Sequence, residues 1–351
     1  MYLHQELRPG PLDVVGDIHG EIDAITDLLG VLGYDSEGRH PQNRTLVFVG
    51  DFCDRGPDSV AVIRLAQHLI DSGRAQAVLG NHEINLLTND AKDGSGWFFD
   101  SRIESDRKYY APFSRAEESD KPAIRDFFNR LPLLLEREDL RIVHAAWDPA
   151  SVEAIRHRPV GRIPELHAQF IEQLEAEAQR SGLLERYHEE MQRWKVEIES
   201  EDKPPPFLHA VAAYDSLQQQ HNPLKVLTSG VESKTATAFY SGNRWRFSDR
   251  LPWWNTYDGN KPVLIGHYWR LFRPRPEQVV PRYSQLFSGV DSLAWHGRNG
   301  KVFCVDYSAG ARWRDRRVNR DVRERFHLAA MRWPERQLVF DSGEKFSLIN
   351  K

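Results

Sequence analysis

The chain has no apolar run near the ~20 residues that a membrane span requires. Its N-terminus, Met1 to Pro11, carries His4, Glu6 and Arg8 where a signal peptide would carry an apolar core. These absences point to a soluble, cytoplasmic protein. Only two cysteines occur in 351 residues, Cys53 and Cys304. One bridge at most can form, so no disulfide framework holds the fold, and the low count suits a reducing compartment. Internal repeats and low-complexity tracts are absent. Neither charge is in surplus: 47 Lys and Arg stand against 51 Asp and Glu, a net charge of −4. Nothing therefore pulls the whole surface toward nucleic acid or an anionic membrane. What is present is ordinary, 40% hydrophobic and 28% charged residues, enough for a sizeable core and a single domain over residues 1–351.

The first half alternates. Leu12-Asp13-Val14-Val15 is a short apolar run ending in Gly16, followed by a helical pattern of Ile22, Ile25, Leu28, Leu29 and Leu32. Thr45 to Val49 is β-branched and apolar and ends in Gly50. A second helix opens near Pro57-Asp58 and carries Val60, Ile63, Leu65 and Leu69. Ala75 to Leu79, Arg141 to Val143, Pro262 to Ile265 and Val302 to Val305 are further short strands, the last closing the series. Strands alternating with helices predict an α/β domain with a buried sheet. The middle differs. Residues 163–201 are glutamate-rich and helical in period, with Leu166, Phe170 and Leu174 on one helix and Leu184, Tyr187, Met191, Trp194 and Ile198 on another. Gly182 separates them, and Pro204-Pro205-Pro206 ends the block. This region, about 150–225, reads as a helical insertion or small cap, or as helices of the main layer. The loop from Asn89 to Gly96 is polar and flexible by composition.

Five segments carry chemistry: Gly16-Asp17-Ile18-His19-Gly20, Gly50-Asp51-Phe52-Cys53-Asp54-Arg55-Gly56, Gly80-Asn81-His82-Glu83, His144-Ala145-Ala146, and Gly266-His267-Tyr268-Trp269. Each follows a predicted strand. In open α/β sheets the crevice beyond the strands' carboxyl ends is where sites form, so these residues are expected to converge. Asp, His and Asn without thiolate suit Mn²⁺, Fe or Zn²⁺, and the set is too rich in imidazole for Ca²⁺.

The ordered set resembles the calcineurin-like metallophosphoesterases, and within them the phosphoprotein phosphatase branch with its bacterial serine/threonine phosphatase and diadenosine tetraphosphatase relatives. The resemblance runs from about residue 12 to residue 310, as islands. It implies a two-sheet β-sandwich flanked by helices, with a dinuclear site at one edge. It implies that Asp17 and His19 bind a first divalent ion, that Asp51 bridges two, and that Asn81, His144 and His267 complete the second; Mn is the first choice of metal, with Fe or Zn as alternatives. Asp54 and His82 resemble the family's acid pair, and Arg55 its phosphate-gripping arginine. Two cations sharing a water can lower its pKa and present hydroxide to phosphorus, while His82 protonates the leaving oxygen. Many superfamily members carry a second histidine where this chain has Trp269. That departure argues against the nuclease branches, as does the lack of a basic surplus.

The remaining residues are read plainly. Cys53 is a buried filler before it is a redox thiol. Tyr268, Trp269 and Trp147 are packing before they are stacking platforms. Arg314, Arg316, Arg317, Arg320 and Arg323 are a solvated face. A second phosphate-binding arginine is expected among Arg246, Arg250 and Arg270. The function read from these residues is a dinuclear phosphatase acting on phosphate monoesters of proteins or small molecules, with no membrane and no specific nucleic-acid partner. The alternative is a dinucleoside polyphosphate hydrolase, exemplified by diadenosine tetraphosphate. A non-catalytic metal-binding module is the weakest reading, because a scaffold has no use for Asp54, Arg55 and His82.

Overall fold

The computed structural model describes residues 1–241, 244–273 and 286–348; all the candidate site residues lie among these. Two sheets dominate. The first contains β1 (His4–Glu6), β5 (Leu134–Glu136), β6 (Arg141–Val143), β9 (Val263–Ile265) and β10 (Val302–Cys304), in that spatial order. The second runs β13 (Lys345–Ser347), β12 (Gln337–Phe340), β11 (Ala329–Trp333), β2 (Leu12–Val15), β3 (Thr45–Phe48) and β4 (Ala75–Ala77). Within each sheet three neighbouring strands are parallel: β2, β3 and β4 in one, β6, β9 and β10 in the other.

The alternation along these strands explains how the sheets pack. Leu12, Val14, Val47 and Val49 face Leu135, Ile142, Leu264, Phe303 and Val305 in one buried cluster, the interior of a sandwich. Val15, Leu46 and Phe48 point the other way and meet the apolar faces of α1 (Ile22–Leu32) and α2 (Ser59–Asp71). A strand buried on both faces must be apolar nearly throughout, which is why Leu12–Val15 is buried at every position. Asp58 caps α2, its carboxylate accepting the Ala61 N–H at 2.9 Å. The predicted α/β sandwich is thus observed.

Two differences from the sequence expectation matter. Strands do not end at Val305. The chain returns as the antiparallel strands β11 to β13, with Met331 opposite Val14 in the register with β2. Between residues 149 and 229 the helices α6 (Pro149–Ile155), α7 (Ile163–Arg180), α8 (Leu183–Arg193), α9 (Lys195–Glu199), α10 (His209–His221) and α11 (Pro223–Ser229) follow one another. The region then continues as a hairpin of β7 (Glu232–Tyr240) and β8 (Trp245–Arg250). Ile198, Leu208, Val211, Ala212 and Phe247 form a small core that joins hairpin to helices. This unit is fastened to the sandwich beside β6, where the Ala145 N–H donates to the Leu227 carbonyl at 2.9 Å.

Asp13 is the exception in β2, a fully buried carboxylate. It accepts from Arg44 Nε at 3.0 Å and from the Tyr34 hydroxyl at 2.9 Å, with Arg332 Nε at 3.2 Å. Arg44 also donates to the Leu12 carbonyl at 2.7 Å, so one guanidinium ties β2 to the segment entering β3. Removing one partner of a buried pair leaves an uncompensated charge. Arg44→Met is expected to lower unfolding stability by about 3 kcal/mol, read as a shift of the urea midpoint at unchanged slope. A loss below about 1 kcal/mol, the scale of an exposed pair, would show that Arg332 and Tyr34 suffice.

Candidate metal centre

The parallel strands of both sheets end on the same side, and each delivers its motif there. Asp17 and His19 leave β2, Asp51 leaves β3, and Asn81 and His82 open α3 (Asn81–Leu87) after β4. His144 leaves β6 and His267 leaves β9. The turns are sharp. His19, Asp51, Asp54, Arg55, His267 and Trp269 have φ between 50° and 74°, six of the eleven non-glycine residues with positive φ among the described residues. Such backbone is unfavourable for side-chain-bearing residues, and its concentration here marks a functional site.

Asp51 stands at the middle. Its Oδ2 lies 3.3 Å from His144 Nε2, 3.6 Å from His19 Nε2 and 4.0 Å from His82 Nε2. Two groups, His19 with Asp51 and His82, and Asp51 with His144 and His267, each bring their ligand atoms within 4.8 Å of one another, and Asp51 belongs to both. Asn81 Oδ1 is 3.3 Å from His144 Nε2. The imidazoles are oriented from behind. His19 Nδ1 is 2.9 Å from the Cys53 carbonyl and His144 Nδ1 is 2.7 Å from the Val49 carbonyl. A carbonyl only accepts, so each Nδ1 carries a proton; His19 Nε2 then turns its lone pair to the centre, and His144 Nε2 does so once a cation displaces its proton.

These residues fit divalent cations. Asp17 Oδ1 and His267 Nε2 are buried and meet no hydrogen-bond partner among the described residues, while Asp17 Oδ2 accepts the His267 N–H at 2.9 Å. Buried polar atoms without partners are rare and call for a ligand. Burial depresses the pKa of His19 and His267 well below the usual histidine value, aided by Arg55 and Arg250 respectively, so both are neutral donors. Burial would depress His144 too, but the Asp51 and Asp17 carboxylates overcome it and raise its pKa to about 10. Burial acts to raise the Asp51 carboxyl, and His144 and His82 reverse this, holding it well below the carboxylate range. The pocket thus attracts positive charge where a proton and a metal would compete. Two glycines make the approach possible. A Cβ on Gly266 would sit 2.0 Å from Asp17 Oδ1, and one on Gly310 would sit 2.2 Å from His19 Cδ2.

The expected acid pair and arginine lie alongside. His82 Nδ1 is 2.5 Å from Asp54 Oδ2, and Trp97 Nε1 donates to Asp54 Oδ1 at 2.5 Å. Arg55 is 3.0 Å from His19 Nε2 through Nη1 and 3.0 Å from His82 Nε2 through Nη2. Its N–H donates to the Gly94 carbonyl at 3.1 Å. The 89–96 loop, expected to be flexible, is therefore packed under Arg55.

Three residues were given no role by the sequence reading, Glu83 although it stands in the Gly80-Asn81-His82-Glu83 motif. Glu83 is fully buried and accepts N–H groups from Asp51 at 2.8 Å, Phe52 at 2.9 Å and Gly80 at 2.9 Å, tying the β3 and β4 exits together. Its place three residues after the helix-capping Gly80 is the capping-box spacing, a signal that could have found it. Asp306, just past β10, accepts the Trp269 N–H at 2.8 Å and holds the turn after His267; burial raises its pKa to about 6. Trp97 had no sequence signal. Among the residues left open, Cys53 is a buried filler whose thiol pKa is pushed up by burial. Tyr268 and Trp147 are buried packing, as expected, but Trp269 is half-buried with Arg55 at 4.8 Å over its ring. Arg270 is buried and donates to the Asp291 carbonyl at 2.8 Å, so it serves structure. Arg246 lies in β8 and donates to the Ser241 carbonyl at 3.3 Å. Arg250 is the candidate whose charge acts on His267. A cavity of about 930 Å³ beside Trp147, Trp253 and Arg156 contains none of the candidate ligands.

Known proteins resemble parts of this chain in sequence. The asymmetrical bis(5'-nucleosyl)-tetraphosphatase PrpE of Oceanobacillus iheyensis is 31% identical over 142 residues, 38% of this chain and 54% of that protein. The symmetrical bis(5'-nucleosyl)-tetraphosphatase of Chromohalobacter salexigens is 30% identical over 194 residues, 54% of this chain and 61% of that protein. The chain thus spans little more than half the length of these relatives. A solved cold-active protein-tyrosine phosphatase of Shewanella sp. is 13% identical, with 98% of this chain and 82% of that one covered at a TM-score of 0.49. The calcineurin-like phosphoesterase family model matches residues 10–268. That match takes in all the candidate ligands and about three quarters of the sequence, and the chain belongs to the calcineurin-like phosphoesterase family.

Proposed function

We propose that the chain is a hydrolase of dinucleoside polyphosphates that works with two divalent ions, Mn, Fe or Zn by donor chemistry. Asp17, His19, Asp51, Asn81, His144 and His267 would hold them. The observation that carries the two-ion part of this reading is that Asp51 belongs to both clusters of possible ligand atoms; His82, a member of the first, is taken as the proton donor and not as a ligand. When bound, such ions polarise phosphoryl oxygens and lower the pKa of water.

The chain's own residues supply the rest. Arg55 sits against His19 and His82, with Nη1 and Nη2 each 3.0 Å from a ring Nε2, at the edge of the centre where a guanidinium fork suits a phosphoryl group. Asp54 fixes the His82 ring through Nδ1, which leaves Nε2 facing the centre as the atom from which a proton reaches the leaving oxygen. Trp97 in turn fixes Asp54. His82 and Asp54 act as a unit, because the carboxylate sets both the tautomer and the direction of the ring.

The order of the two substrate readings changes. The sequence put phosphate monoesters first. The relatives named above are tetraphosphatases, and the lip of the centre offers what a monoester enzyme does not need, an aromatic ring with arginines against it. Diadenosine tetraphosphate is therefore expected to exceed both an aryl phosphate and a phosphoserine peptide in kcat/KM by about tenfold or more, a gap of ~1.4 kcal/mol in transition-state binding. The three are compared at one pH with saturating Mn²⁺. A monoester that wins by the same margin restores the first reading.

A nucleotide is a good leaving group and needs less protonation than an alkoxide. His82→Ala is expected to lower kcat by about 10²–10⁴-fold on a phosphoserine peptide and by a clearly smaller factor on diadenosine tetraphosphate. Metal content, measured on the same samples, is expected to hold. Equal losses on both substrates would remove His82 from proton delivery.

A further inference from the structure

The arginine-rich stretch after the last motif was read as a solvated face, yet its members divide into two groups. Arg312 pairs with Asp341, Arg316 with Glu21 at 2.6 Å, Arg320 with Asp315 at 3.7 Å and Arg323 with Asp27 at 2.5 Å. Arg325 also pairs with Asp315. The contacts of Arg312, Arg316 and Arg323 hold the segment against the start of α1 and the C-terminal strands, and those of Arg320 and Arg325 with Asp315 hold it together internally. Arg314 and Arg317 are exposed at the surface and also lie against aromatic rings.

Those rings form a line that starts at the centre. Trp269 lies 6.4 Å from His19 and has Arg55 4.8 Å from its ring centroid. Arg314 lies 6.0 Å from the Trp269 ring and 5.4 Å from the Trp313 ring, so it bridges the two. Arg317 lies 5.9 Å from Trp313 and 5.1 Å from Tyr109. Tyr110 braces Trp313 edge-on at 4.9 Å. The Trp313 indole N–H is buried without an acceptor among the described residues. The line is anchored at the centre, since Gly310 sits directly on the His19 ring.

Aromatic faces interleaved with guanidinium groups have a definite ligand chemistry. The rings stack on a planar base and the guanidinium groups bind phosphate. We infer that Trp269, Trp313, Arg314 and Arg317 form a nucleotide subsite. A phosphate chain crosses from Arg55 to Arg314 and Arg317, and the base stacks against Trp313. This rests on the dinucleoside polyphosphate reading and deepens it. The subsite takes the nucleotide portion that extends beyond the reacting phosphate, and it is the part of the substrate that a monoester lacks.

Binding to the metal-free full chain tests the subsite separately from catalysis. Calorimetric titration with ADP and with inorganic pyrophosphate is expected to show tighter binding of ADP by about tenfold, the scale of one base stacked on an aromatic ring. Trp313→Leu is expected to remove most of that preference. Arg314→Gln and Arg317→Gln, both surface changes, are expected to weaken ADP and pyrophosphate together. Equal affinities in the unaltered chain, or an ADP preference untouched in folded Trp313→Leu and undiminished affinity in both glutamine variants, would overturn the subsite. Should Trp313→Leu fail to fold, the two glutamine variants decide alone. In turnover, Trp313→Leu is expected to raise KM for diadenosine tetraphosphate about tenfold more than KM for an aryl phosphate. An unaltered chain that binds ADP as described but does not cleave diadenosine tetraphosphate keeps the subsite and defeats the proposed substrate. One that cleaves it with all three variants unaffected does the reverse.

Discussion

One buried carboxylate oxygen organises this molecule. Asp51 Oδ2 lies within 4.0 Å of three imidazole nitrogens, in a pocket where water cannot solvate it. A charge so placed is costly unless neighbours compensate it. Here the compensation comes from histidines, and each can be a cation's ligand or a proton's host. The backbone compensates as well. The Asp51 N–H is taken by Glu83, and Asp51 Oδ1 accepts the His82 N–H at 3.1 Å. Position, charge state and the neighbouring turn are therefore set together, and moving Asp51 would disturb the strand exits of β3 and β4 at once.

The scaffold makes this arrangement stable. Six left-handed residues at about 1 kcal/mol or more each are a sizeable share of the ~5–15 kcal/mol net stability of a typical domain. They persist because both flanks of each turn are fixed, by buried strands on one side and by helices or bonded loops on the other. The sandwich has a second consequence. Neither sheet alone carries the full set of candidate ligands. Asp17, His19, Asp51 and Asn81 come from one, and His144 and His267 from the other, so packing of the two sheets assembles the centre.

Much of this was legible in the sequence because ligand motifs at strand ends combine two local signals, an apolar β-branched run and a glycine-bounded polar turn. Asp17, His19, Asp51, Asn81, His82, His144 and His267 were found that way, and the structure brings them together. Residues that act through others were given no role, although the capping-box spacing marks Glu83. Glu83, Trp97 and Asp306 bond to groups distant in sequence or to turns whose geometry the letters do not show. Strands β11 to β13 were missed for a similar reason. Ala329–Trp333 is a strand because β2 offers it a buried edge, not because of any strong local preference. Trp269 and the arginines beyond it were read by base rates for aromatic and charged residues. Those base rates hold for Tyr268 and Trp147, but they do not register proximity to a centre.

The central claim is that Asp51 serves two ions. The direct measurement is metal content per chain by mass spectrometry after Mn²⁺ loading and desalting, for the unaltered protein and for Asp51→Asn, with folding checked by circular dichroism. The account predicts two ions per chain and a loss at both positions in the folded variant. One ion per chain in the unaltered protein, or two retained in Asp51→Asn, would contradict it.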